Sequence, residues 1–269
     1  MIVPKFSNKS ELFEFLVKNE EELVAEKKFS IKSADAFSYT EEFSIEEEDA
    51  YKAVNNKPVL AEINQLKTKL VINTTNWLDS HCDVHIPGLW TKTLSETKKV
   101  YLLQEHQMRF DKIISSEVKA SVQNYTWKQL GVPMNGKSEA LVFDATISKN
   151  RNEFMFEQYK NGFVDNHSVG MRYVKMYLCI NDVTSGQYFE NWNKYYKEIA
   201  NSERAEEFGY FWAVTEAKLI EGSAVVMGSN TMTPTLENNM QDADKSHHVK
   251  IEIKEIEPAN VTQPRRRRL

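Results

Sequence analysis

Cysteine is scarce in this chain: only Cys82 and Cys179 occur among 269 residues. Two such residues make no disulfide framework and suit a reducing compartment. Long apolar runs are also missing. None approaches the ~18 residues needed to span a bilayer. The opening Met1-Ile2-Val3-Pro4-Lys5 carries no apolar stretch of the secretory type. An excess of positive charge is absent too. The net charge of −5 argues against a dedicated nucleic-acid binder. With six histidines, few imidazole bases are on offer. What is present, 41% hydrophobic and 11% aromatic residues, is enough for a real core. The expectation is a soluble intracellular protein with one main domain and appendages.

Taken in order, a helix is expected from about Asn8 to Lys28, with Asn8 or Ser10 as cap and Leu12, Phe13, Leu16, Leu23 and Val24 as its apolar stripe. Acidic clusters follow at Glu41-Glu42 and Glu46-Glu47-Glu48-Asp49. They read as a solvated face or flexible arm, with a pro-segment or scaffold-contacting arm as the alternative. Lys57-Pro58 marks a boundary. The chain thus divides into a helical, acidic arm (1–58), a main domain (59–234), and a polar linker with a basic tail (235–269). Strand alternation runs through Thr68, Leu70 and Ile72, then Val118, Ala120 and Val122, then Leu141, Phe143, Ala145 and Ile147. A helix from about Asn152 to Lys160, capped by Asn150 or Ser148, ends at Gly162. A second helical block spans about 187–208, and a long strand region spans 210–227. Beyond Pro234, residues 236–245 read as linker, Val249, Ile251 and Ile253 alternate, and Arg265 to Arg268 form the basic tail.

The stretch Phe163-Val164-Asp165-Asn166-His167-Ser168-Val169-Gly170-Met171-Arg172 is the centre of interest. It leaves a helix through a Gly turn and enters an extended segment running to about Ile180. A Ser beside a Gly on a strand can set a hydroxyl next to bare backbone N–H groups, as acyl transfer requires. Such a hydroxyl needs a base. His167 adjoins Ser168, but successive strand side chains point to opposite faces. His247 and His248 lie in the polar tail, and His81 and His85 lie in a loop. His106 ends the apolar run Val100-Tyr101-Leu102-Leu103 and is the best placed. Glu221 sits inside the apolar Leu219-Ile220-Glu221-Gly222-Ser223-Ala224-Val225, where a carboxylate must find a partner. A protonated His106 would serve, and Glu216 is the competing carboxylate. His81, Cys82, Asp83 and His85 invite a metal reading. Their spacing is too close for the usual zinc sites and no second cluster completes the set, so no metal or other cofactor is expected.

These stretches together resemble the prohead maturation proteases of tailed bacteriophages, relatives of the herpesvirus assembly proteases. The resemblance covers about Val59 to Pro234. It rests on the Asp-rich loop Asp79 to Asp83 followed by Pro87-Gly88, on Leu102-Leu103 shortly before His106, on Ser168-Val169-Gly170, and on Glu221-Gly222-Ser223 followed by Ser229-Asn230. This chain has Cys82, His167 and Met171 where the family usually has Gly, an apolar residue and an aromatic. The resemblance implies an α+β fold, a closed β-barrel of about seven strands surrounded by helices. It implies a serine endopeptidase with Ser168 as nucleophile, His106 as base and Glu221 as orienter. The oxyanion hole would fall at the backbone of Gly170 and Met171, with Arg172 helping to hold that loop. The implied substrates and partners are scaffold protein and major capsid protein, with self-cleavage and a homodimer as further expectations. The implied setting is the immature procapsid in the host cytoplasm; hydropathy and net charge add that no membrane partner is expected and that nucleic acid is not a favoured one, the Arg265 to Arg268 tail reading as a solvated end with contact to an acidic partner or nucleic acid as the alternative. The alternative is a non-enzymatic capsid assembly or scaffold protein.

Overall fold

The computed structural model describes residues 6–29 and 64–240. The acidic clusters, the Lys57-Pro58 boundary, the alternation from Val249 to Ile253 and the arginine tail lie outside the described residues. The expected first helix is two helices, α1 (Lys9–Lys18) and α2 (Glu20–Phe29). Asn8 caps the first by accepting from the Glu11 N–H, and Asn19 ends it. Phe13, Leu16 and Leu23 are buried in the main core, so both helices are packed parts of the folded unit.

Two sheets flank that core. In the first the order is β5 (Glu117–Thr126), β6 (Lys137–Ser148), β1 (Gln65–Thr74) and β9 (Thr235–Met240). The second is built on β8 (Tyr210–Ala224). The antiparallel β7 (His167–Ile180) runs along one edge of β8, and the other edge takes the parallel β2 (Asp83–His85) and β3 (Leu102–Gln104). β4 (Ile113–Ser115) pairs with β3. Alternation explains the layering. Leu66, Leu70 and Ile72 of β1 and Leu141, Phe143, Ala145 and Ile147 of β6 face the main core, where they meet Val169, Met171, Tyr173, Val214 and Leu219 of the other sheet. Val71, Ala140 and Val142 point the opposite way, onto Trp127 and Leu130. The first sheet is therefore covered on both faces.

The closed barrel of about seven strands wrapped by helices is not what forms. Among the described residues no sheet closes on itself. β3 and β4 are three residues each, too short to carry a hydrogen-bonded circuit on to the first sheet. Where β4 approaches β6, the link is a side chain: Ser115 Oγ donates to the Thr146 carbonyl at 2.7 Å. The described α-helices are few and short, six to ten residues each. They include α3 (Thr91–Glu96), α4 (Glu153–Lys160), α5 (Gln187–Tyr195) and α6 (Ser202–Phe208). The cap of α4 is Asn152, which accepts from the Met155 N–H, rather than Asn150 or Ser148. Beyond Pro234 the chain does not loosen at once: β9 pairs with β1.

Candidate functional site

β7 and β8 build the floor of the site. Their register sets Ser168 opposite Ser223 and Gly170 opposite Glu221. Directly opposed residues of an antiparallel pair share a face, as do residues two apart on one strand. These four positions therefore form a square patch on a single face. The Cβ atoms of Ser168 and Ser223 should stand about 5 Å apart. One residue further along, Gly170 pairs with Glu221 but Met171 pairs with Leu219. Ile220 is thus the extra residue of a bulge, a device that re-aims side chains beside functional sites.

His106 arrives over this patch from the end of β3. Glu105 and His106 both adopt the left-handed conformation, φ 51° and 56°, which is uncommon for residues with side chains. The strain is held by two bonds: the Glu105 N–H donates to the Ala224 carbonyl at 2.9 Å, and the His106 N–H to Ser223 Oγ at 3.0 Å. The ring then sets Nδ1 at 2.6 Å from Glu221 Oε1. The other carboxylate oxygen, Oε2, accepts from Ser223 Oγ at 2.6 Å. Glu221 is 2% exposed, so a buried charge has both oxygens engaged, the condition under which burial is tolerated. In the neutral ring, with Nδ1–H donated to the carboxylate, Nε2 carries the lone pair. It is buried and has no hydrogen-bond partner in this structure. That tautomer, with one ring nitrogen anchored and the other available, is the one a general base needs.

The structure therefore brings His106 and Glu221 into direct contact and sets Ser168 on the same face. Ser168 is half-buried, and its hydroxyl makes no hydrogen bond to Nε2. Catalytic bonds of this kind are often long before substrate binds. Gly170 and Met171, whose backbone is the expected oxyanion hole, stand on either side of the register shift between β7 and β8. Both lie inside the β7–β8 ladder, Met171 is buried, and the Glu221 carboxylate occupies the space over Gly170. Arg172 is exposed and faces Lys218 across the ladder. Glu216, the competing carboxylate, lies elsewhere, between Lys92 at 3.0 Å and Lys175 at 2.9 Å. Hydrogen bonds from Lys175 and Lys92 hold its carboxyl below the usual range.

His167 turns away from Ser168, as alternation requires. Its Nε2 meets the Tyr159 hydroxyl at 3.0 Å and its Nδ1 the Thr233 carbonyl at 3.0 Å. Burial lowers its pKa to about 4, against a smaller opposing effect of the Thr233 bond. The residues of the metal reading are engaged in a buried network. Asp83 holds Lys27 at 2.6 Å and accepts from the Tyr173 hydroxyl at 2.8 Å. His85 Nδ1 lies 2.8 Å from Asn73 Nδ2. Among the described residues no three His, Cys, Asp or Glu side chains are grouped to hold a metal ion. Cys82 stands at φ 57°, the left-handed region that favours glycine. Burial pushes its thiol up to about 11.

Sequence reading missed Ser223 as the second ligand of the carboxylate. The signal was present: Ser223 lies two residues from Glu221 on a strand, so both side chains share a face. Among the described residues no helix is long and apolar enough to cross a membrane. Comparison of the chain with protein-family models, with curated proteins and with solved structures finds no match.

Proposed function

We propose that this protein is a serine endopeptidase acting through an acyl-enzyme, with Ser168 as nucleophile, His106 as general base and Glu221 as the group that orients and stabilises the imidazole. The observation that carries this reading is the 2.6 Å contact between His106 Nδ1 and Glu221 Oε1, with Nε2 buried and unpaired on the face that holds Ser168. An imidazole steadied from behind by a buried carboxylate, with its second nitrogen unpaired, is the arrangement that activates a hydroxyl. The open sheets do not argue for this activity, since chemistry belongs to sites and recurs on unrelated folds. The sequence resemblance extends the proposal to cleavage of scaffold and of capsid-protein scaffolding segments during prohead maturation, with trimming of the chain itself.

Intact mass of the purified protein, alone and co-expressed with a candidate capsid and scaffold protein, tests it. Cleavage products that appear with the natural chain and vanish with Ser168→Ala support the proposal. Continued cleavage by Ser168→Ala removes Ser168 from the mechanism. Full activity of His106→Ala removes the base. The second reading, a non-catalytic assembly protein, draws on the missing Ser168–His106 hydrogen bond. It requires that a fluorophosphonate leave Ser168 unlabelled and that the Ser168→Ala chain support normal particle assembly.

A further inference from the structure

Beside the candidate catalytic residues lies an apolar cleft of about 250 Å³. Glu221 forms one wall, and Tyr101, Leu103, Ile113 and Ile220 supply the rest of the lining. At its mouth stand Met108 and Phe110, which are 60% and 88% exposed. Large apolar side chains displayed around a concavity mark a binding surface rather than a surface accident. Among the described residues that line the cleft the one cation, Arg109, is turned onto Asp111 at 3.1 Å.

We infer that this cleft is the specificity pocket for one large apolar side chain of an extended polypeptide substrate, two or three residues from the bond that is cut. The inference rests on the endopeptidase reading. Position argues for this occupant. Ser168 on β7, Ser223 on β8 and Leu103 on β3 stand in register across the sheet, with Glu221 two residues from Ser223 on the same face. Two strand spacings amount to about 10 Å, and an extended chain advances about 3.3 Å per residue. A substrate held at Ser168 and crossing β8 therefore brings its second or third neighbouring residue to the cleft. Leu, Ile, Met and Phe suit the volume and the lining. Asp and Glu do not, because they would lose hydration beside the Glu221 carboxylate.

The full-length protein and its Phe110→Asp and Met108→Asp variants, each altered at an exposed position, are incubated with a peptide library prepared from an unrelated proteome. The cut sites are read by mass spectrometry. In parallel, the rate of Ser168 labelling by a small fluorophosphonate is followed. The natural chain should select Leu, Ile, Met or Phe at one position within three residues of the cut. Either variant should weaken that selection about 10-fold, a typical worth for a hydrophobic subsite, while the labelling rate reports whether Ser168 and its base remain intact. Labelled Ser168 without apolar selection, or selection that survives both variants, overturns the cleft assignment and leaves the endopeptidase reading standing. A change confined to oligomeric state makes the cleft an association surface and likewise overturns the assignment. Failure to label Ser168 in the natural chain overturns both.

Discussion

Gly170 and Glu221 face each other across β7 and β8, and the carboxylate fills the space where a side chain at position 170 would begin. A Cβ there would sit 1.9 Å from Oε1 and 2.7 Å from Cδ. Glycine is thus required at this place by close approach, not by its backbone angle. Gly170→Ala should push Glu221 off both His106 and Ser223. Cleavage should fall by about 10² to 10⁴-fold, the range for loss of an orienting carboxylate. Stability should fall by about 3 kcal/mol as the buried charge loses its partners. Cleavage kinetics and a thermal melt check this together. An alanine variant with the natural rate would show that the His106–Glu221 contact is dispensable.

Ser223 is the nearer hydroxyl to the carboxylate and could be mistaken for the nucleophile. It is fully buried, donates to Glu221 Oε2 and accepts from the His106 N–H. Its part is to fix the other two. Ser223→Ala should therefore retain fluorophosphonate labelling at Ser168 while costing about 1–3 kcal/mol of stability, the usual penalty for an orphaned buried partner. Peptide mapping of the label decides between the two serines. Label on Ser223 in the natural chain would reverse their roles.

The parts of this site that could be read from sequence are those fixed by local periodicity. Strand alternation separates His167 from Ser168, an apolar run ends at His106, and an acidic residue inside an apolar strand demands a partner. Each follows from a few consecutive residues. Closure of the sheets does not, because it depends on which distant edges meet. The three-residue strands β2, β3 and β4 are too short to announce themselves by alternation. β9 was hidden for another reason. Its Thr235-Leu236-Glu237-Asn238-Asn239 is polar, as befits a strand at the sheet edge, and composition alone reads it as linker. The break at Asn19 was masked because the apolar stripe continues through it from Leu16 to Leu23. The apolar cleft could not be seen at all, since Leu103, Phe110 and Ile220 come together only when β3 is laid beside β8.

His167 gives the fold a pH dependence with a definite sign. Its pKa is lowered by burial from 6.5 to about 4. Between those values the unfolded chain binds a proton that the folded chain refuses, so stability rises with pH across this window. The contribution is fully present above about pH 6.5 and is lost progressively as the pH falls towards 4. It amounts to about 3 kcal/mol at most. Urea midpoints at pH 7.5 and pH 5 should differ in the natural chain, and His167→Gln should reduce the difference. An unchanged difference would mean that other groups carry the acid sensitivity.

Lys27 ties helix α2 to the strand that carries Ser168. Its ammonium lies 2.6 Å from Asp83 Oδ1, and the Asp83 side chain is fully buried. The Tyr173 hydroxyl donates to the other oxygen, Oδ2, at 2.8 Å, and Tyr173 stands on β7 five residues beyond Ser168. Burial and the nearby Asp83 charge push the Tyr173 phenol well above its ordinary pKa, so it stays protonated and keeps donating. Lys27→Met should remove a cation from the buried carboxylate and cost about 3–5 kcal/mol. Lys27→Met combined with Asp83→Asn should recover at least half of that loss, because an amide needs no counter-charge. Urea unfolding of the two variants measures it. If the single variant proves as stable as the natural chain, helix α2 does not brace β7 through this ion pair.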